Sequence, residues 1–488
     1  MAAVALSLTL AACGSQLDPN DVVGAGGFGN GQGGGTAAGG TGGGFTDGGV
    51  DPGTSPGGDT GSIDGGGTTS SGGGGGSTSS GGGSSTGGSS GGGGGGGTGE
   101  APNGDGKAAS CAGFKNQTGV TDDKIIIGNS SDVSGPVPGL FESAQEATKA
   151  YVAYFNASGA KICGRSLELK SYDSRTDAAA DQQSYTRACD EVFAMVGSMS
   201  AFDSGGAATA QNCGMPDIRS AAVTRARYAC TTCFGAQSTK ATEFQNAVPD
   251  FVLKNYGSAG QNAAMLYINA GAAAENGKTQ SDAMNKRGMK FKYLQGIDVS
   301  EFNYAPYVQS MKDKGIEYVQ FIGAYQQAVR LAQAMEQQSF KPKIYILDPT
   351  AYTPEYVKSG GSAVEGTVIF TNFTPFEEAG SNPETQLYLN WLQQVKPGAT
   401  PGFFGAFSWS AARLFVERAT ALGGKLSRPA MVADLRTVNK WTANNLTSPQ
   451  NVGSKRTGDC WRFITLKGGR WVPLGGTKYT CNGTTSVS

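Results

Sequence analysis

The sequence predicts an α/β fold built on parallel sheets and preceded by a disordered Gly/Ser-rich linker. Three observations predict it. Lys124 to Asn129, KIIIGN, places three β-branched apolar residues in a row, as in a strand buried on both faces. Strand-like and helix-like runs alternate from there on, the pattern of parallel sheets. Gly24 to Gly106 is Gly, Ser and Thr with scattered Asp, Pro and Ala, and cannot bury enough apolar area to offset ordering.

In chain order, Met1 to Ala12, MAAVALSLTLAA, is short, apolar and uncharged. Leu10-Ala11-Ala12-Cys13 resembles the lipobox of bacterial lipoproteins, which implies a signal peptide over 1–12 and a lipidated Cys13. A signal peptide opens with Lys or Arg; none stands here, so the expectation is either a recorded start downstream of the true one or a truncated sequence. Residues 13–106 then form the lipid-bearing Cys and the linker. The glycine run Gly91 to Gly97 has no strand before it and no helix after it, so it is linker rather than a phosphate loop. About 83 such residues span roughly 50 Å as a flexible coil.

Ordinary composition begins at Lys107. After the strand at Lys124 comes Ser130 to Gly139, a loop rich in Ser, Gly and Pro. Phe141 to Gly159 repeats apolar residues at three- and four-residue steps, as a helix does, with Gly159 at its C-terminal cap. Ser166 to Asp173 alternates as a second strand. Val192 to Ser198, Pro216 to Ser220, Ala263 to Ile268, Lys290 to Ile297, Tyr318 to Gly323 and Lys343 to Leu347 are further strands. Helices are expected at Ser204 to Asn212, Phe244 to Tyr256, Tyr304 to Lys314, Ala324 to Phe340, Thr385 to Val395 and Ser408 to Leu422. Trp461 to Leu474 reads as a hairpin through Gly468-Gly469. The first strand–loop–helix–strand unit puts its loop at the carboxyl end of a strand, where α/β folds bind ligands.

The 488 residues carry 38 basic and 39 acidic side chains, so no charge excess argues for a nucleic acid partner. No apolar run reaches about 18 residues, so no transmembrane helix is expected. The chain has no histidine, which removes Ser-His-Asp and Cys-His catalysis, His-ligated zinc and imidazole acid–base chemistry. Carboxylate, lysine or thiolate catalysis stays open. No nucleophile–base pair, metal or cofactor is indicated.

Nine cysteines are present; with Cys13 lipidated, eight remain, an even number for an exported chain. Spacing does not fix their pairing. The preferred pairs, in order, are Cys460 with Cys481, Cys189 with Cys213, Cys230 with Cys233, and Cys111 with Cys163. The CTTC at Cys230 could instead be a redox pair or half a zinc site.

A strand ending IIIG, a loop containing SGP, a helix ending FNASG, the phrase GRSLELKSYDS and the run TDAAADQQSYTRACDE together resemble the first unit of type I periplasmic binding proteins. The likeness is greatest to the leucine/isoleucine/valine-binding proteins of ABC importers and runs over roughly Gly119 to Leu474. It implies two Rossmann-like lobes joined by a three-crossover hinge within 107–488. Lobe 1 would take approximately 119–246 and part of 372–430; lobe 2 would take approximately 247–371 and the C-terminal part. It implies an extracytoplasmic lipoprotein of the bacterial cell envelope that hands a small polar solute, an amino acid or a relative of one, to an ABC permease without doing chemistry. A ligand sensor of the same fold is the alternative.

The family holds its ligand's carboxylate on two first-lobe loops. Their counterparts here carry Ser200, Ala201, Phe202 and Asp203, and then Ala221, Ala222 and Thr224. Helix capping by the same Ser and Asp side chains is the bland alternative. The second lobe departs from the pattern. No Tyr stands in Asn269 to Asn276; Tyr325 could supply the family's later aromatic, and Asp348 its acid for an α-ammonium group, although Thr350 could be the aligned position. Asp348 could equally be a turn residue before Pro349.

Overall fold

A computed structural model describes residues 108–488. The expected signal peptide, Cys13 and linker lie outside the described residues.

Two parallel sheets carry the fold. The first contains β1 (Lys124–Ser131), β2 (Ser166–Asp173), β3 (Ala194–Val196), β4 (Asp217–Ala221) and β5 (Cys233–Gln237), in the order β2-β1-β3-β4-β5. The isoleucine run makes β1 the second strand in from the edge. Ile125 and Ile127 are fully buried there, with β2 and β3 alongside in parallel register. The helix Glu142–Ala157 crosses back over this sheet. It packs Tyr151 edge-on against Trp409 of the long helix Phe403–Leu422, ring centroids 4.8 Å apart.

After β6 (Glu243–Gln245), the second sheet contains β7 (Ala263–Ile268), β8 (Phe291–Ile297), β9 (Tyr318–Ile322), β10 (Ile344–Leu347) and β11 (Val368–Thr371), in the order β8-β7-β9-β10-β11. This repeats the strand order of the first sheet. Antiparallel β12 (Cys460–Lys467) and β13 (Arg470–Leu474) extend it through the Gly468-Gly469 turn. Near the end of the chain β14 (Thr480–Cys481) pairs with β12, and β15 (Thr484–Ser486) returns to pair with β6.

The chain passes between the lobes three times. It leaves the first sheet after β5, returns after β11 to lay the helices Pro383–Val395 and Phe403–Leu422 on that sheet, and leaves again for β12. The passages are tied together. The Ser238 N–H donates to Gln450 Oε1 at 3.0 Å, and the Ser448 N–H to the Asn372 carbonyl at 2.8 Å.

Several elements were not expected from periodicity, β5, β11 and the helix Gly271–Lys286 among them, and Phe244, expected to open a helix, lies in β6 with the helix starting at Ala247. β5 and β11 are short, and β5 contains Gly235. The helix Gly271–Lys286 opens on small and polar residues and carries Gly277 internally. A Cβ at Gly277 would lie 2.5 Å from the Tyr267 ring of β7, so glycine is what lets this helix sit down on its strand. Among the described residues no helix is long and apolar enough to cross a membrane.

Four disulfides join Cys111 to Cys163, Cys189 to Cys213, Cys230 to Cys233 and Cys460 to Cys481. Cys230 and Cys233 are buried and bonded to each other, which leaves the CTTC run no thiol for a metal. Loop closure sets the expected stabilities. The first bond spans 52 residues and the third only 3. Removing Cys111–Cys163 as a Ser pair should cost about 4 kcal/mol, and removing Cys230–Cys233 about 2 kcal/mol. Urea denaturation of the two double variants measures both. Equal losses would contradict the loop-entropy account.

Candidate functional site

Both sheets change strand direction of travel beside their first strand, between β1 and β3 and between β7 and β9. At such switch points the loops after the strands part and leave a crevice. Here the two crevices face one another around a cavity of about 250 Å³. From the first lobe, Leu140 and Phe141 follow β1, Ala201 and Phe202 follow β3, and Val223 follows β4. From the second, Ile268 ends β7, Val299 follows β8, Ala324 and Gln327 follow β9, and Asp348 with Thr350 follows β10. Phe403 and Phe404 at the start of the long helix, and Trp461 of β12, complete a largely apolar wall.

The cavity is closed by direct contacts between the lobes. The Ala272 N–H donates to the Ala201 carbonyl at 2.9 Å, and the Arg225 N–H to Glu275 Oε2 at 2.8 Å. The Thr400 hydroxyl donates to Glu355 Oε1 at 2.8 Å. At the first of these contacts stands Gly271, with φ +50°; a Cβ there would lie 2.4 Å from the Ala201 oxygen. Only glycine permits that approach.

The two first-lobe loops are held from inside by carboxylates. Asp132, fully buried at the end of β1, accepts hydrogen bonds from the Ser174 hydroxyl at 2.6 Å, the Ala201 N–H at 2.8 Å, the Thr176 N–H at 2.9 Å and the Ser200 hydroxyl at 3.1 Å. Burial pushes its carboxyl above the usual range, against those donors. Asp203 accepts from the Thr224 hydroxyl at 2.5 Å and from the Val223 and Thr224 N–H groups at 2.9 and 3.2 Å. Thr224 in turn caps the next helix by accepting from the Arg227 N–H.

Beneath lies a buried ionic layer. Arg227 donates to Asp217 at 2.8 Å, to Asp181 at 2.9 Å and to the Asp203 carbonyl at 2.7 Å. Its guanidinium stacks 4.4 Å over the Tyr185 ring. Arg219 donates to the Tyr185 hydroxyl, which donates to Asp217.

Of the residues expected at the site, Ala201, Phe202 and Asp348 line the cavity. Ser200, Asp203 and Thr224 belong to the same loops, but their side chains are buried and engaged within them. Ala221 lies buried in β4, and Ala222 follows it, also buried, away from the lining. Tyr325 opens the helix after β9 half-buried, outside the lining. Thr350, the alternative to Asp348, lines the cavity beside it.

A family model described as periplasmic binding protein matches residues 124–470. The chain belongs to that family. A search of curated proteins finds no match. Solved structures similar to this chain include a branched-chain amino acid transporter substrate binding protein from Streptococcus pneumoniae in complex with isoleucine, 15% identical, TM-score 0.60, covering 73% of this chain and 99% of that one. Another is a fatty acid ABC transporter substrate-binding protein from Thermomonospora curvata, at 19% identity and TM-score 0.63, covering 77% and 97%. A third is a solute binding protein of an ABC transporter from Rhodopseudomonas palustris in complex with p-hydroxybenzoic acid, at 15% and 0.61, covering 74% and 97%. At these identities the likeness is one of fold.

Sequence reasoning about this periplasmic binding protein passed over Asp132. Its signal was available: a lone acid directly after a buried strand, in a loop of Ser, Gly and Pro. Phe403, Phe404 and Trp461 were missed as lining because they come from a returning helix and an added strand far along the chain.

Two predictions follow from this geometry. Thr224→Ala removes a helix cap and one donor to Asp203, and should cost about 1 kcal/mol of stability. Ligand affinity should be unchanged; a loss of affinity at constant melting temperature would show that Thr224 reaches the solute. The second prediction concerns pH. Asp348 lines the cavity half-buried, and desolvation there raises its carboxyl to about 6. An unfolded aspartate titrates near 3.9, so between about pH 4 and 6 the native state binds more protons than the unfolded one. Stability from this group is therefore fullest below that window and declines as pH rises through it. Asp348→Asn should lack the decline, so its melting temperature should gain on wild type from about pH 4 to 6. Parallel melting curves would contradict the assignment.

Proposed function

We propose that the chain is the extracytoplasmic solute receptor of an ABC importer, tethered to the bacterial envelope by lipid on Cys13 and performing no chemistry. One observation supports the receptor reading above others. A solute-sized cavity sits where the switch points of two like sheets face each other, and its rim is hydrogen-bonded from lobe to lobe. A receptor of this kind opens and closes about its hinge, and the solute shifts the balance by touching both walls at once. The permease then needs to recognise only the closed form. The related structures named above hold or are named for isoleucine, p-hydroxybenzoic acid and fatty acid, so kinship leaves the solute class open.

Protein stripped of solute by unfolding and refolding should become more compact in small-angle scattering when a small-molecule extract of host culture is added. Mass spectrometry identifies the retained solute. Gly271→Ala obstructs the lobe contact and should weaken that solute's affinity by about tenfold or more. Scattering that stays unchanged at saturation would contradict closure, and no retained solute would contradict the receptor reading. For the anchor, Cys13→Ser in the native host should release the protein from the membrane fraction; a variant that stays bound is not held by that lipid.

A further inference from the structure

The backbone donors that would hold a ligand carboxylate in the first lobe are already occupied by the chain itself. Asp132 takes the Ala201 N–H, Asp203 takes the Val223 and Thr224 N–H groups, and Asp181 takes the Gly206 N–H. The Phe202 N–H goes to the Ser200 hydroxyl oxygen. Across the cleft, the first turn of the helix Gly271–Lys286 spends its Ala272 N–H on the Ala201 carbonyl. A second carboxylate brought to these loops would find those backbone donors taken and would sit close to two buried carboxylates, where like-charge repulsion is poorly screened.

The lining's charges point the same way. Its one cation among the described residues is Lys240, and Lys240 is bound to Glu243 at 3.0 Å. Glu243 is shared with Arg456 at 3.3 Å and so is itself compensated. Asp348 is different. It lines the cavity, its hydrogen bonds come from Thr350, and no basic residue among the described ones pairs with it. The rest of the wall is largely apolar, with Leu140, Phe141, Phe202, Val223, Ile322 and Phe404, and its neutral polar groups include the unpartnered Thr176 hydroxyl and Gln245 amide. At about 250 Å³ the cavity is larger than the roughly 150 Å³ apolar cavity that takes benzene.

We propose that the cleft selects an apolar solute whose polar end is a cation or another hydrogen-bond donor, directed at Asp348, and that it rejects carboxylates, amino acids included. This rests on the reading of the cavity as a solute site and names the class of solute it takes.

Matched probes test it on the full, refolded protein by titration calorimetry. One triplet is phenethylamine, 2-phenylethanol and 3-phenylpropionate; a second is hexylamine, 1-hexanol and hexanoate; leucine and phenylalanine complete the set. Within a triplet the amine or alcohol should bind at least about tenfold more tightly than the carboxylate, and both amino acids should bind more weakly than the amine. Asp348→Asn should bring the amine's affinity down to the alcohol's and leave the alcohol's within about twofold, with folding checked by melting temperature. A carboxylate or amino acid that binds as tightly as the matching amine overturns the inference and leaves the receptor reading standing. Wild-type selectivity that Asp348→Asn does not alter overturns the role of Asp348. No binding by any probe overturns the inference, while a solute retained from the host extract would leave the receptor reading standing.

Discussion

Two buried carboxylates, Asp132 and Asp203, set the shape on which the rest of the site depends. Removing a carboxylate from water is costly unless donors replace the water. Asp132 obtains four, from loops that follow β2 and β3, while it sits itself at the end of β1. Three strand ends are thereby brought to one point. Asp203 does the same for the loop after β4. The floor of the cleft is thus built by the chain's own charges and does not wait for a ligand to complete it.

The layer below explains how those carboxylates are held in place. Asp181, Asp203 and Asp217 face Arg219 and Arg227 with no exposure of any of the five side chains. Such a layer is poor evidence for stability, since its desolvation cost rivals its attraction. Its effect is on geometry. Arg227 binds side chains from the helix Ala178–Glu191 and from β4, and the carbonyl of the loop after β3, so these cannot slide relative to one another without stranding a charge. The short helix Arg225–Ala229, which carries Arg227, could not hold its place by apolar burial; its one fully buried side chain is that arginine.

What could be read from the sequence divides along the same physical line. Strands made of β-branched or continuous apolar runs, such as Ala263–Ile268, and helices with a clear apolar stripe, such as Tyr325–Gln337, announce themselves through burial. Val368–Thr371 is too short for a period to show, and Gly271–Lys286 is packed through missing side chains at Gly271 and Gly277. At the site, resemblance pointed to two loops, and Ala201, Phe202 and Val223 from them line the cavity. It could not say which way a hydroxyl or carboxylate turns. Ser200, Asp203 and Thr224 have the composition of a carboxylate-binding loop, and the same composition suits a loop that binds a carboxylate of its own. The deciding partner, Asp132, lies 68 residues before Ser200 and no local pattern links them.

The two lobes share a strand order but not a role. In the first, the backbone N–H groups of Ala201, Val223 and Thr224 are taken by the chain's own carboxylates, which leaves a solute a mainly apolar surface with fixed loops. In the second, Asp348 is left with an unpaired charge. A solute resting on the first lobe alone gains contact area but meets nothing that tests its head group. On the reading proposed above, that test would come from across the cleft, where the Ala272 N–H meets the Ala201 carbonyl and Asp348 is desolvated. A solute with the wrong head group would leave Asp348 desolvated and unanswered, a cost that falls on the closed state and hardly on the open one. Since a ligand shifts a conformational equilibrium only by its difference in affinity for the two forms, selectivity and closure would on this reading be one step. An ill-matched solute could then occupy the open cleft without producing the form that a permease would recognise.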